Sequence, residues 1–130
     1  MLTDKAPLIN GFSAVRIFVS DLGRAVDFYR NTLGLQLSHE ESVYAVFQLS
    51  NVTVLIERVD PGDLEFRELV GRFTAVSFNT GDINAAYDSL SALGIRFEGP
   101  PEKQFWGGTL AHFHDPDDNV VTLVHTPITP

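Results

Sequence analysis

The chain has 130 residues, which is enough for one compact domain with a hydrophobic core and too few for two independent domains. It contains no cysteine, which excludes disulfides, thiolate metal sites and thiol nucleophiles, and which fits a reducing cytoplasm. Its net charge of −8 would repel nucleic acid, and its apolar runs are too short for a membrane span or a secretory signal. We therefore expect a cytoplasmic protein without nucleic-acid or membrane partners.

The first predicted elements are a strand and a helix. Apolar side chains alternate over residues 15–19, which predicts a strand with two different faces. Asp21 is placed to cap a helix whose apolar residues recur at helical spacing, and Gly34 suits its end. A turn is predicted at Ser50 and Asn51. Three further strands are predicted over residues 35–40, 43–49 and 52–58.

This first module recurs in the second half of the chain. Residues 12–26 return as residues 73–87, and residues 33–37 return as residues 93–97 after one deleted residue. Asp82 and Gly94 repeat the helix cap and the helix end. Strand-like alternation follows over residues 96–98, 109–114 and 120–125. Duplication of one unit predicts two modules that bury each other, with a functional cleft between them.

The repeated order predicts an α+β fold of two tandem βαβββ modules, whose eight strands form a curved mixed sheet around a cleft. All of it belongs to a single domain of residues 1–130. A helix covers one face of each sheet, so the other face is free to line the cleft. The modules are assigned to about residues 12–58 and 73–125, with a linker over about residues 59–72 that can hold a turn of helix, and a turn at residues 115–119.

These motifs resemble the glyoxalase, bleomycin-resistance and extradiol-dioxygenase superfamily, whose members are called vicinal oxygen chelate proteins. The resemblance rests on the two strand-to-helix openings, the two Leu-Gly helix ends and the Asp-Pro-Asp-Asp-Asn turn at residues 115–119. It covers about residues 12–125. It implies that enzymes of the family hold a divalent metal on the inner sheet face, through a His or Gln early and a Glu late in each module.

Carried over to this chain, the family's four metal-ligand positions are Ala14, Val54, Ala75 and Thr122. Alanine and valine have no donor atom, and a threonine hydroxyl is a poor sole ligand. A register error of one residue would replace Val54 by Leu55, which is equally inert. We therefore predict no metal, no other cofactor and no catalytic residue.

The resemblance also implies a set of ligand-binding residues on the inner sheet face. If Ala14 and Ala75 face the cleft, alternation turns their strand neighbours inward, with Val54 and Thr122 on the opposite wall. Arg16 needs a partner there, and a salt bridge to a carboxylate is the alternative to ligand binding. The set comprises Arg16, Phe18, Val54, Ser77, Asn79, Trp106, His112 and Thr122.

Trp106 is the single tryptophan and stands beside flexible glycines. It resembles the Trp-Gly element of bleomycin-resistance-type members and can stack on a planar or cationic ligand. Packing at the junction of the two modules is the other interpretation of this residue.

We expect a metal-free small-molecule-binding protein of the bleomycin-resistance type, which sequesters an aromatic or amphipathic ligand in the cleft between the modules. The resemblance implies a homodimer. One alternative is a metal-dependent lyase, isomerase or dioxygenase with displaced ligands, since His112 and His114 share a strand face and Glu57 could join them. A degenerate domain that serves as a protein-interaction module is a third hypothesis. The residues favour a binder over an enzyme.

Overall fold

The computed structural model describes residues 6–127, which form two four-stranded mixed sheets. The first sheet has the order β1-β4-β3-β2, and the second has the order β5-β8-β7-β6. The first four strands are β1 (Val15–Val19), β2 (Leu37–Glu40), β3 (Tyr44–Leu49) and β4 (Val52–Arg58). The other four are β5 (Phe73–Asn79), β6 (Glu102–Lys103), β7 (Thr109–His114) and β8 (Val120–His125).

The helix of module one begins where the sequence predicts it. Helix α1 (Leu22–Val26) is capped by Asp21, whose carboxylate accepts a hydrogen bond from the backbone N–H of Arg24 at 3.0 Å. It continues as a π-helical turn over Asp27–Thr32, and Gly34 follows with a φ of 80°. Only a residue without Cβ adopts that φ at little cost, so the glycine ends the helix.

Module two repeats this design. Asp82 caps helix α3 (Ile83–Ala92) by accepting a hydrogen bond from the backbone N–H of Ala85 at 3.0 Å. Between the modules, a short helix α2 (Phe66–Leu69) is the turn of helix predicted in the linker. In each module the first strand pairs in parallel with the last, and the other pairs are antiparallel.

One predicted strand is wrong. Residues 96–98 form only an isolated bridge between Phe97 and Phe113, and strand β6 lies further along the chain. Pro100 and Pro101 separate the two segments, and a proline cannot donate a ladder hydrogen bond. Strand β6, the second strand of this module, is therefore short.

The two tandem βαβββ modules of the predicted α+β fold are confirmed, but their eight strands are divided between two sheets instead of forming one. Each module buries its own hydrophobic core between sheet and helix. Phe28 and Leu33, in the C-terminal half of the first helical segment and directly after it, pack against both cores. This helical segment therefore joins the modules by apolar packing.

A polar network joins the same two modules. Asn119 is fully buried; its Nδ2 donates to the carbonyl oxygen of Phe18 at 2.9 Å, and its Oδ1 accepts from the N–H of Gly71 at 2.8 Å. Tyr29 donates its hydroxyl to Asp115 Oδ2 at 2.7 Å. The predicted turn at residues 115–119 is thus bound to module one by hydrogen bonds.

Within residues 6–127, no helix is long and apolar enough to cross a membrane.

Candidate functional site

The face of the first sheet that points away from α1, called here the open face of module one, carries the predicted residues Arg16 and Phe18. Period-two alternation sends Ile17 and Val19 to the core and these two residues to the opposite face of the sheet. Arg16 forms a two-pronged ion pair with Glu57 of β4, with Nη2 donating to Oε1 at 3.0 Å. Its guanidinium carbon lies 5.1 Å from the centre of the Phe18 ring.

The ion pair is the alternative that the sequence left open for Arg16. The hydrogen bond and the negative charge of Glu57 raise the pKa of Arg16 above its ordinary value. The arginine side chain remains 56% exposed, so one side of the guanidinium still faces solvent. A bound molecule can therefore stack on the guanidinium or accept a hydrogen bond from it.

The open face of module two is the corresponding face of the second sheet, and it carries His112, Thr122 and Ser77. Thr122 pairs with Ser77 on β5 and with His112 on β7. His112 Nδ1 lies 2.8 Å from Thr122 Oγ1, and the histidine ring meets the Phe73 ring edge-on at 5.6 Å. The hydroxyl of the buried Thr122 is thus already used by a neighbouring side chain.

Trp106 lies in the loop between β6 and β7, and its position depends on Gly108. A Cβ atom built at residue 108 would come within 1.8 Å of the indole ring, so only glycine permits this packing. The loop is closed by a hydrogen bond from the N–H of Gln104 to the carbonyl oxygen of Gly108 at 2.8 Å. The indole packs on its own hairpin and stays 47% exposed, which leaves a ring available for stacking.

A cavity of about 620 Å³ lies between the modules, on the side of the sheets that faces the helices. Val54, Ser77 and Asn79 of the predicted set line it. The set is therefore divided: Arg16 and Phe18 lie on one open face, Ser77, His112 and Thr122 on the other, Trp106 on a hairpin, and Val54 and Asn79 at the cavity, which Ser77 also borders.

Over residues 11–123, the chain matches the family described as the Glyoxalase/Bleomycin resistance protein/Dioxygenase superfamily. The chain belongs to this superfamily.

Three relatives show the extent of the similarity. A crystal structure of a member of this superfamily from Sphaerobacter thermophilus DSM 20745 has 30% sequence identity and a TM-score of 0.76, covering 92% of this chain and 99% of that one. TnmS3, an antibiotic binding protein from Streptomyces sp. CB03234, has 26% identity and a TM-score of 0.74, covering 94% of this chain and 100% of that one. The uncharacterized protein YraH of Bacillus subtilis is 29% identical over 119 residues, which is 84% of this chain and 93% of the relative.

The strand register corrects one of the metal-ligand positions carried over from this superfamily. Thr122 pairs with Ser77 and His112, and the matching place in the first sheet is Leu55, which pairs with Arg16 and Val46. The predicted Val54 instead pairs with Val15, is fully buried in the module-one core and so does not share the open face of Arg16. Leu55 has no donor atom either.

The residues at these positions do not fit a divalent metal. Ala14 precedes β1 and Ala75 lies at an irregularity of β5, and neither has a donor atom. Glu57 is already paired with Arg16. In the part of the chain that the structure describes, no group of three or more His, Cys, Asp or Glu side chains is arranged to hold a metal ion.

The residues of the alternative metal site, in which the ligands are displaced, make separate contacts in the structure. His114 Nε2 lies 3.2 Å from Glu98 Oε2, whereas His112 bonds Thr122 and Glu57 belongs to the other sheet. The arrangement supplies hydrogen-bond donors, acceptors and aromatic rings, which are suited to holding an organic molecule.

Sequence reasoning missed most of the cavity lining, including Asn51, Ser89 and Leu90. The sequence did hold a signal for it. The turn at Ser50 and Asn51 is shorter than its counterpart at residues 115–119, so it leaves space at one of the two module junctions.

Proposed function

We propose that this superfamily member is a metal-free small-molecule-binding protein of the bleomycin-resistance type, which sequesters an aromatic or amphipathic ligand. The observation that carries the proposal is the open face of module one, where Leu55 stands at a metal-ligand position and the stacked pair of Arg16 and Phe18 lies beside it. Its similarity to an antibiotic binding protein, TnmS3, supports a binding role.

The chemistry of the proposed ligand follows from a depression of about 360 Å³ beside this pair. Phe18 provides an apolar surface, and Arg16 and Glu57 provide one charge of each sign. Asp63 and Glu65 of the linker add two further acidic groups and Arg58 adds a second basic group, so the acidic side chains outnumber the basic ones by three to two. A planar ring that carries a cationic group complements these features, and the net charge of −8 raises its association rate.

We also propose that the protein acts as a cytoplasmic homodimer. Phe12 and Phe73 leave 76% and 58% of their surfaces exposed, and a second copy of the chain would cover such apolar rings in a symmetric interface. Sedimentation velocity at micromolar concentration tests the dimer, and a purely monomeric boundary would contradict it.

The binding role is tested by thermal-shift screening of cationic aromatic compounds against protein treated with a chelator. We expect ligands that stabilise the chelated protein, with binding weakened about tenfold in Phe18→Ala because the ring contributes stacking surface. Phe105→Ala is the matched control, because that ring is fully exposed and outside the depression. Tightly held stoichiometric metal that supports lyase, isomerase or dioxygenase activity, lost in His112→Ala, would refute the proposal.

A further inference from the structure

The cavity between the modules is separate from the open face that carries the proposed function. Its walls come from both modules and include core residues of each, among them Val54, Val76 and Phe113. These side chains point toward the helices, whereas Arg16 and Phe18 point away from them. The open face and the cavity are therefore on different sides of the first sheet.

The cavity exists because the two halves of the repeat are unequal. Leu35 donates its N–H to the carbonyl oxygen of Tyr29, and Ile95 donates its N–H to that of Leu90, which makes Tyr29 and Leu90 structural counterparts. At the junction beside α1, Tyr29 reaches Asp115 and fills the space. At the other junction, the counterpart is a shorter leucine.

The other polar side chains of the filled junction beside α1 also have smaller counterparts at the cavity. Asp117 accepts hydrogen bonds from the N–H and the hydroxyl of Ser20, and Arg24 lies against both residues. In the repeat, the places of Ser20 and Arg24 are taken by Gly81 and Ala85. The turn at Ser50 and Asn51 is too short to replace residues 115–119. Each of these differences between the halves removes volume or polar groups at the cavity.

The lining defines what the cavity can bind. None of the described residues that line it is charged, although 20% of the chain is charged. Val76, Phe78 and Leu90 contribute apolar surface, and Asn51 and Ser89 contribute neutral hydrogen-bonding groups. A charged molecule would lose its hydration there without gaining a partner, whereas an apolar molecule with one neutral polar end would be matched.

We propose that this cavity is a second ligand site, which binds an uncharged apolar molecule carrying a single hydroxyl, amide or carbonyl end. A volume of about 620 Å³ lies in the range of small-molecule sites. Protein interiors are otherwise packed to crystal-like density, so an occupant of this junction restores contacts that its walls lack.

The experiment uses 1-aminoanthracene, a neutral fluorescent probe, with the full chain. We expect about one probe per chain, displaced by 1-decanol but about tenfold less well by decanoate or decylamine, because only the alcohol enters without a charge. Ser89→Phe, which installs an aromatic ring in the cavity wall, is expected to weaken probe binding about tenfold. Ser91→Phe is the matched control, because residue 91 is exposed on the same helix and outside the lining.

Two further measurements distinguish binding in the cavity from a loss of folding and from binding at the open face. Methyl chemical shifts of Val54, Val76 and Leu90 in the unsubstituted protein are expected to move when 1-decanol is added. Phe18→Ala is expected to leave probe binding unchanged while it weakens ligands of the open face. No probe binding, equal displacement by the charged analogues, or probe loss in Phe18→Ala instead of Ser89→Phe would overturn the proposal.

Discussion

Asp115 is a buried carboxylate whose two oxygens accept four hydrogen bonds. The donors are the Tyr29 hydroxyl, the backbone N–H groups of Asp117 and Asn119, and the Asn119 side-chain amide. Burial raises the pKa of Asp115 above its ordinary value, and the hydrogen bonds oppose that rise. Burial, followed by the charge of Asp115, raises the pKa of Tyr29 well above its ordinary value. The phenol therefore remains a donor across the range in which the carboxylate ionises.

The raised pKa of Asp115 has a defined effect on stability. The folded chain holds the proton to a higher pH than the unfolded chain does, so this group favours folding most below its unfolded pKa. That contribution is lost as the pH rises through the folded pKa. The hydrogen bond from Tyr29 limits the loss because it favours the ionised form.

We predict that Tyr29→Phe lowers the free energy of unfolding at neutral pH by about 1–2 kcal/mol, because a buried carboxylate loses a donor. The pKa of Asp115 should rise further, and the decline of stability should extend to higher pH. Urea denaturation from pH 4 to 8 and carboxyl ¹³C NMR measure the two effects. Tyr87→Phe on α3 is the control, where the change should stay within about 0.5 kcal/mol. Equal losses in both variants would contradict the role of the Asp115 bond.

At the scale of elements, the π-helical turn Asp27–Thr32 accounts for the unequal spacing of the repeat. Residues 33–37 and 93–97 correspond with one residue fewer in module two, and a π turn accommodates one extra residue within a helix. The one-residue difference in length between the modules is visible in the sequence. Hydrophobic periodicity does not indicate where in a helix the extra residue is accommodated. The hydrogen bonds of Leu35 and Ile95 locate it.

Strand β5 contains the second irregular element. The pairing with β8 shifts register between Phe73 and Ser77, and Ala75 has a φ of 63°. Thr74 Oγ1 donates to the carbonyl oxygen of Val120 at 2.8 Å and accepts from the N–H of Val76 at 3.1 Å. A side chain thus replaces ladder bonds that the bulged backbone cannot make.

We predict that Ala75→Gly raises the free energy of unfolding by about 0.5–1 kcal/mol, since a residue with Cβ is strained at this φ and glycine is not. Ala85→Gly is the matched control: it lies on the exposed surface of α3, where glycine should destabilise by about 1 kcal/mol. Chemical denaturation measures both variants. A loss of stability in Ala75→Gly similar to that of the control would contradict a strained bulge.

For the whole molecule, local periodicity predicted most of the fold. The alternation around Arg16 identified the open face, and the caps at Asp21 and Asp82 located both helix starts. The late metal-ligand position of module one was wrongly predicted at Val54 by counting from the turn at Asn51. The two turns differ in length, so this position must be read from the strand pairing. The cavity depends on contacts between distant segments, which leave no periodic signal.

The two junctions between the modules differ in how they are held. Beside α1, buried polar groups bridge positions far apart in sequence, as in the bond from Asn119 to the carbonyl oxygen of Phe18. At the cavity, the repeat counterpart of Asn119 is Asn51, an exposed residue of a short turn. We infer that one junction carries most of the coupling between the modules, which leaves the other free to hold a ligand.

This asymmetry predicts unequal effects for two similar substitutions. Asn119→Ala should lower the free energy of unfolding by about 2–4 kcal/mol, because the carbonyl oxygen of Phe18 and the N–H of Gly71 lose their bonds to this side chain and Asp115 loses one of its four donors. Asn51→Ala should change it by no more than about 0.5 kcal/mol, since its side chain is exposed. Urea denaturation followed by tryptophan fluorescence and by circular dichroism measures both. Comparable losses of stability in the two variants would show that the coupling between the modules does not reside in the Asn119 junction. If the unfolding transitions followed by fluorescence and by circular dichroism have different midpoints in Asn119→Ala alone, that result would support the coupling.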